Sequence, residues 1–320
     1  MTIASISDND GKAPGQTAKA PPRGSALRLS PWLRSARTPM LLATLPALAL
    51  VAALLYFTGW AIAFSFTNLE LTGLNSIHWK WIGFDNYVRL FTRQGFLGSL
   101  WVTVIFTFFS ALVGQSVFGF GLAAALRGVR GWGRTTVEVA LMLGWLLPDI
   151  VAAFLWQATT SQTSFINTAI LVPLGFAPIN FLSYFALPIV IIANIWKGTA
   201  WSYLLFSAAL DSISKEVLEA ARVDGATGLQ RIWLVMLPII RPHIATNMLF
   251  ITIWTFTYFP LIYALTGGGP GSQTEVLSIL MYHQSFGVGK LGYGAAISVA
   301  MVIIVGALSV FYLRQLKEPK

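Results

Sequence analysis

Of the 320 residues, 56% are apolar and only 10% charged; the net charge is +9 and the mean hydropathy +0.69. Soluble domains carry about 25% charged residues, so this composition excludes an ordinary globular domain and describes an integral membrane protein. The basic residues gather at the ends of apolar runs, which points to anionic lipid as their partner and away from nucleic acid.

Residues 1 to 38 are rich in Ala, Pro, Gly, Ser and Lys without apolar period, and read as a flexible tail; residues 39 to 320 form the membrane domain. The first apolar run, Met40 to Phe66, starts too late and runs too long for a cleaved signal peptide, and at roughly 1.5 Å per residue it crosses a ~30 Å hydrocarbon layer. A polar and aromatic loop follows, with WIGFDNYVRLF at 81–91; Trp79, Trp81, Phe84 and Tyr87 suit an interfacial aromatic belt. Further spans are expected at Gly98–Leu126, Val137–Trp156 (broken by Pro148), Tyr184–Leu210, His243–Leu265 and Tyr293–Leu313. The uncharged stretch 157–182 suits a short loop with a partly embedded helix.

Between the fourth and fifth spans lies SISKEVLEAARVDGATGLQRIWLVMLPIIRP, residues 212–242, the most charged internal stretch, which belongs in water. Ile213, Val217, Ala220 and Ala221 share one helical face, and Lys215, Glu219 and Arg222 the other. Gly225 supplies a break, and a second amphipathic turn with Leu229, Ile232, Trp233 and Met236 is expected to stop before Pro238. Six spans put both termini on one face. Sixteen of the 21 Lys and Arg, those of the tail, the 127–134 loop, the 212–242 loop and the C-terminus, share that face, which makes it cytoplasmic.

The spacing of Glu219, Ala220, Ala221, Gly225, Val235, Leu237 and Pro238 resembles the EAA loop of permease subunits in ATP-driven, binding-protein-dependent importers. LTGGGP followed by TE, at 265–275, and the 81–91 phrase resemble the carbohydrate branch of that family, the maltose permease type. The resemblance spans residues 40 to 314 and implies an all-α, six-span type I importer fold, with both termini cytoplasmic in a bacterial inner membrane. It implies a heterodimer with a second permease, two copies of an ATPase that carries the Mg-ATP, an extracytoplasmic substrate-binding protein and a carbohydrate substrate. The EAA loop would be the coupling helix: Glu219, Ala220, Ala221, Asp224, Gly225 and Pro238 would seat on the ATPase, with Glu219 making a charged contact and Gly225 permitting the turn. The large external insertion of the maltose permease is missing, since the external loops here are short.

A charge within a span costs about 2.5–3.5 kcal/mol on insertion scales, so Asp149 and Lys197 either pair or face a wet cavity and polar substrate. Proline frees carbonyls that are tolerated beside water, and Pro148 precedes Asp149. The segment ANIWKGTAWSY, 193–203, resembles the sugar-contacting segment of maltose-type permeases, which implies contacts at Asn194, Lys197, Gly198 and Trp201. Trp254, Thr255 and Tyr258 are the corresponding positions in the fifth span. Aromatic faces with a few polar groups suit sugars, although Trp254 and Tyr258 equally suit helix packing or lipid. Lys197, and Thr and Tyr where asparagines occur in the maltose type, make maltose itself doubtful and raise the prospect of an anionic ligand.

There is no cysteine, and His78, His243 and His283 lack ligand spacing, so no metal site is expected. No phosphate-binding GxxxxGK[ST] loop, GxSxG or HExxH occurs, so ATP hydrolysis and catalysis belong to another chain. Two other classes remain in view: an ion-coupled secondary transporter using Asp149 and Lys197 as a relay, and a membrane scaffold acting through its tail.

Overall fold

The computed structural model describes residues 37–92, 95–129 and 131–316. The expected tail lies outside the described residues except for its last two positions, which are helical. The described chain divides into two units inside the first helix, after Phe57, and the unit that begins at Thr58 contains the polar cavity and the charged loop.

Helix α1 is Arg37–Ser65, followed by the short α2, Asp85–Thr92, and the long α3, Phe96–Leu126. Next come α4, Trp132–Leu146, α5, Asp149–Thr160, and α6, Ala186–Asp211. The charged loop holds α7, Lys215–Val223, and α8, Gly228–Ile239. The chain closes with α9, Arg241–Phe256, α10, Pro260–Thr266, α11, Leu277–Tyr282, and α12, Leu291–Leu316. Among the described residues four helical segments are long and apolar enough to cross a membrane, and the bent pairs α4/α5 (104°) and α8/α9 (74°) bring the number to six if each counts as one span. Among the described residues the only extended pairing is one bridge, Thr67 to Trp81.

Two expectations need correction. The fifth span does not run to Leu265 as one helix: α9 ends at Phe256, and Thr257–Phe259 break the chain before Pro260 opens α10. Proline is tolerated in a first helical turn but not inside a helix, and the break supplies that turn. The helical stretch after Gly225 also continues through Pro238 to Ile239 and breaks at Ile240, after which α9 starts at Arg241 with Pro242 in its first turn.

Among the described residues the core forms three apolar clusters. One joins α3, α5, α6, α10 and α11 around Phe106, Ala153, Val190, Leu261 and Ile279; another joins α2, α9, α11 and α12 around Leu90, Phe256, Leu277 and Ile297. In the third, Ile213, Met236 and Ile240 of the charged loop pack on Ala123, Tyr203 and Phe206, which fastens that loop to α3 and α6. Arg134 and Glu138 (2.8 Å) and Tyr203 to Glu138 (2.7 Å) lace α4 to α6 at the same end. In the aromatic phrase, buried Asn86 donates to the Ser65 and Thr67 carbonyls (2.9 and 2.8 Å), while Phe66, Phe84 and Tyr87 pack ring on ring. The predicted aromatic loop is therefore a built contact that ties α2 to the end of α1.

Helices α3 and α6 approach closely because small residues line their contact. A Cβ on Gly119 would lie 2.5 Å from Ser202 Cβ and 2.9 Å from the Tyr203 backbone nitrogen. Backbone cannot yield as a side-chain tip does. Gly119→Ala is therefore expected to destabilise the bundle by about 1–3 kcal/mol, read as a lower melting temperature in detergent. An unchanged melting temperature would mean the two helices separate freely.

Candidate functional site

The break at Leu147–Pro148 creates the polar site. Leu147 is non-helical (ψ 133°), Pro148 caps α5, and Asp149 occupies its first turn, where a carboxylate is favoured by the helix dipole. Lys197 of α6 reaches Asp149 Oδ1 at 3.1 Å and donates as well to the carbonyls of Leu147 and of Trp145 (3.4 Å). These carbonyls were freed by the helix break. An ammonium has three protons to donate, and all three are used. Asp149 Oδ1 also accepts from the Tyr258 hydroxyl at 2.6 Å, while Asp149 Oδ2 has no partner among the described residues. Of the two arrangements open to these charges, the structure contains both at once: Lys197 pairs with Asp149, and both line the cavity.

That cavity has a volume of about 570 Å³, within the range of small-molecule pockets. Seven of the eight residues expected to contact substrate line it: Asp149, Asn194, Lys197, Gly198, Trp254, Thr255 and Tyr258. They come from α5, α6, α9 and the break after α9. Trp201 does not line it; its ring packs edge-on to Trp254, 4.7 Å between centroids, and fixes that wall from behind.

Gln115 was missed by the sequence reading. It lines the cavity and donates to the Asn194 carbonyl (3.1 Å), and the Asn194 side chain donates to Ser110 (2.9 Å). Ser110 and Gln115 lie in a π-helical stretch of α3, Thr107–Gln115, whose wider turn brings both toward α6. Gly198 leaves the space Gln115 fills, since a Cβ there would lie 2.3 Å from the Gln115 amide. The available signal was Gln115 itself, a lone amide inside an apolar span.

In the charged loop, α7 ends in a Schellman motif: Ala226 N–H donates to the Ala221 carbonyl and Gly225 N–H to that of Arg222, both at 3.0 Å. Gly225 has φ +80°, a left-handed conformation open to glycine at no steric cost. Thr227 and Gln230 form a reciprocal capping box that starts α8. The Glu216 carboxyl, outside the spans, is held below the usual carboxylate range by its own backbone N–H and the Ser214 hydroxyl. The expected apolar face needs correction: Ile213 is buried and Leu218 partly so, whereas Val217 and Ala220 are exposed alongside Glu219, Asp224 and Gly225. Val223, Leu229, Trp233 and Leu234 are also strongly exposed, a run of apolar side chains in a charged, aqueous loop.

The glycine-rich segment 265–275 is an ordered turn. Thr274 Oγ1 bonds to Thr266 Oγ1 (2.7 Å) and to the Gly269 carbonyl (2.9 Å), and Glu275 meets His283 at 3.0 Å. A second cavity of about 450 Å³ lies beside it, lined by Gln157, Asn180, Thr266 and Pro270 among others.

The sequence profile of the binding-protein-dependent transport system inner membrane components matches residues 115–320. The trehalose/maltose transport system permease protein MalF of Thermococcus litoralis is 32% identical over 238 residues, 73% of this chain and 79% of that protein. The sn-glycerol-3-phosphate transport system permease protein UgpA of Yersinia pseudotuberculosis is 33% identical over 280 residues, 85% of this chain and 92% of its own length. The sulfoquinovosyl glycerol transport system permease protein SmoG of Agrobacterium fabrum is 30% identical over 254 residues, 78% of this chain and 80% of that one. In solved structures, a chain of a bacterial ABC transporter involved in the import of the acidic polysaccharide alginate superposes with a TM-score of 0.71. It covers 88% of this chain and 98% of its own at 22% identity, which establishes a shared fold. Matched over well more than half its length, the chain belongs to the binding-protein-dependent transport system inner membrane components, as a multi-pass permease subunit of an ABC importer.

Proposed function

We propose that this permease lines half of the path for a carbohydrate or sugar derivative, and that the cavity at the α4/α5 break is where the substrate is held. The observation that carries this reading is the convergence of Asp149, Asn194, Trp254, Thr255 and Tyr258, from separate elements, on one cavity that sets aromatic walls beside polar groups. Sugars present C–H faces to aromatic rings and hydroxyls to such polar groups. Lys197 positions Asp149 and the broken helix, Gly198 makes room for Gln115, and Trp201 backs Trp254. The relatives are named for transport of trehalose or maltose, glycerol phosphate and sulfoquinovosyl glycerol, which supports a polyhydroxylated substrate.

The partners follow from the same reading: a second permease completing a heterodimer, two ATPase subunits that bind Mg-ATP, and an extracytoplasmic binding protein, with both termini and the 212–242 loop cytoplasmic. Support for the ATPase contact comes from α7, which exposes Glu219 and Ala220, with Asp224, Val223 and Trp233 exposed nearby in the chain. Exposed apolar residues rimmed by charge are what a protein partner covers. Closure of the ATPase dimer would move α7 and α8, which are fastened to α3 and α6 through Ile213, Met236 and Ile240, and α6 carries Lys197 into the cavity wall.

The test is uptake into proteoliposomes holding the co-purified complex. Accumulation should require enclosed ATP and the binding protein and should persist with an uncoupler; uptake that collapses with the uncoupler at constant ATP would restore the ion-coupled reading. Within that assay Trp254→Ala is expected to lower uptake roughly tenfold, the order of one aromatic contact with its packing. Wild-type uptake by this variant would place the substrate elsewhere.

A further inference from the structure

A third cavity, of about 450 Å³, lies beneath the charged loop, where the end of α3 meets α7 and α8. Its polar wall is Arg127, Arg222 and Arg231, and its apolar wall includes Leu218, Ile232 and Met236. None of the three arginines forms an ion pair among the described residues, although another loop arginine, Arg134, has two. Arg127 Nη2 donates to the Ile213 carbonyl at 3.3 Å, but Arg127 Nη1 and Arg231 Nε are enclosed without an acceptor among the described residues. Unsatisfied, desolvated guanidinium N–H groups are costly, and three converging cations repel one another. A bound anion removes both penalties.

We propose that this cavity binds a phosphate group. A phosphate offers several strong acceptor oxygens and a full negative charge to guanidinium forks arriving from three elements, which matches arginine chemistry better than it matches a lone lysine-type contact. The apolar wall and the volume leave room for more than the anion itself. Ala124, Arg127 and Gly128 of its lining lie at the end of Phe96–Leu126, a helix long and apolar enough to cross a membrane, and the end of such a span falls at headgroup depth. The phosphate therefore has two sources to separate, an anionic phospholipid headgroup and free phosphate. Seated against the coupling loop and α3 together, it would stiffen the joint through which the loop moves the spans.

The experiment uses the full-length chain, delipidated in neutral detergent. Retention of phosphatidylglycerol and phosphatidylcholine is compared by native mass spectrometry, and melting temperature is titrated with inorganic phosphate against chloride at equal ionic strength. Phosphatidylglycerol should be retained about tenfold over phosphatidylcholine, Arg127→Gln/Arg231→Gln should remove that preference, and Arg127→Lys/Arg231→Lys should restore part of it. Stabilisation by inorganic phosphate as well assigns free phosphate as a source; selectivity for the lipid alone assigns the headgroup. Because Arg127 also holds the Ile213 carbonyl, Arg222→Gln, at an exposed position, is a second variant, expected to weaken retention about threefold at unchanged melting temperature. Equal retention by the wild type and by both folded Gln variants overturns the site, as does wild type that binds neither probe. Loss of a co-purifying ATPase from Arg222→Gln with no change in either probe would also overturn it and assign the arginines to protein docking.

Discussion

Gly225→Pro is expected to leave the chain in the membrane and in its complex while reducing substrate-stimulated ATP hydrolysis roughly 100-fold, because misplacing proline costs ~3 kcal/mol or more. Gly225 holds φ at +80°, whereas proline fixes φ near −65° and lacks the N–H that donates to Arg222. The Schellman closure of α7 cannot form, and Asp224 and Ala226 lose their directions. Gly225→Ala keeps the N–H and meets only the left-handed penalty of about 1–2 kcal/mol, so its loss should be nearer tenfold. The Cβ has open space around it, so a clash contributes nothing. Hydrolysis and uptake measured on the same reconstituted complex decide the matter: stimulation intact in the proline variant would mean that α7 does not transmit the substrate signal.

The second large effect is expected at Lys197. Breaking a fully buried ion pair by removing one partner costs about 3–5 kcal/mol, but these side chains retain 12% and 25% of their exposure, so water offsets part of it and about 2 kcal/mol is expected, or roughly 30-fold in uptake. Lys197→Met leaves the Asp149 charge with only Tyr258, and strands the carbonyls of Leu147 and Trp145. Asp149→Asn leaves the ammonium its two carbonyl acceptors but removes its counter-charge. The double variant, Asp149→Asn/Lys197→Met, removes both charges, and the carboxamide oxygen that replaces the carboxylate can still accept from Tyr258. Uptake by the double variant should therefore exceed that of Lys197→Met. If Lys197 instead held an anionic substrate directly, the double variant would be no better than the single one, and the loss would appear in substrate affinity. Competition by charged and neutral sugars against the wild type complements this comparison.

What the sequence determined by itself was the class of molecule: apolar runs long enough to cross a bilayer, the break at Pro148, the charged loop with its Glu-Ala-Ala and Gly225, and the polar residues near the fourth and fifth spans. These are statements about single segments, and length, charge and proline chemistry act locally. What only the tertiary structure decided was which faces meet. A span apolar on all sides carries no amphipathic stripe, so its rotation is set by contacts such as Gly119 against Ser202. That rotation brings Gln115 to Asn194, puts Trp201 behind Trp254, and spends all three Lys197 protons on Asp149 and two carbonyls. The same holds for α7, where helical period alone could not say that Leu218 would turn inward and Val217 outward. The bundle beneath chose the face, through Ile213 anchored in the core.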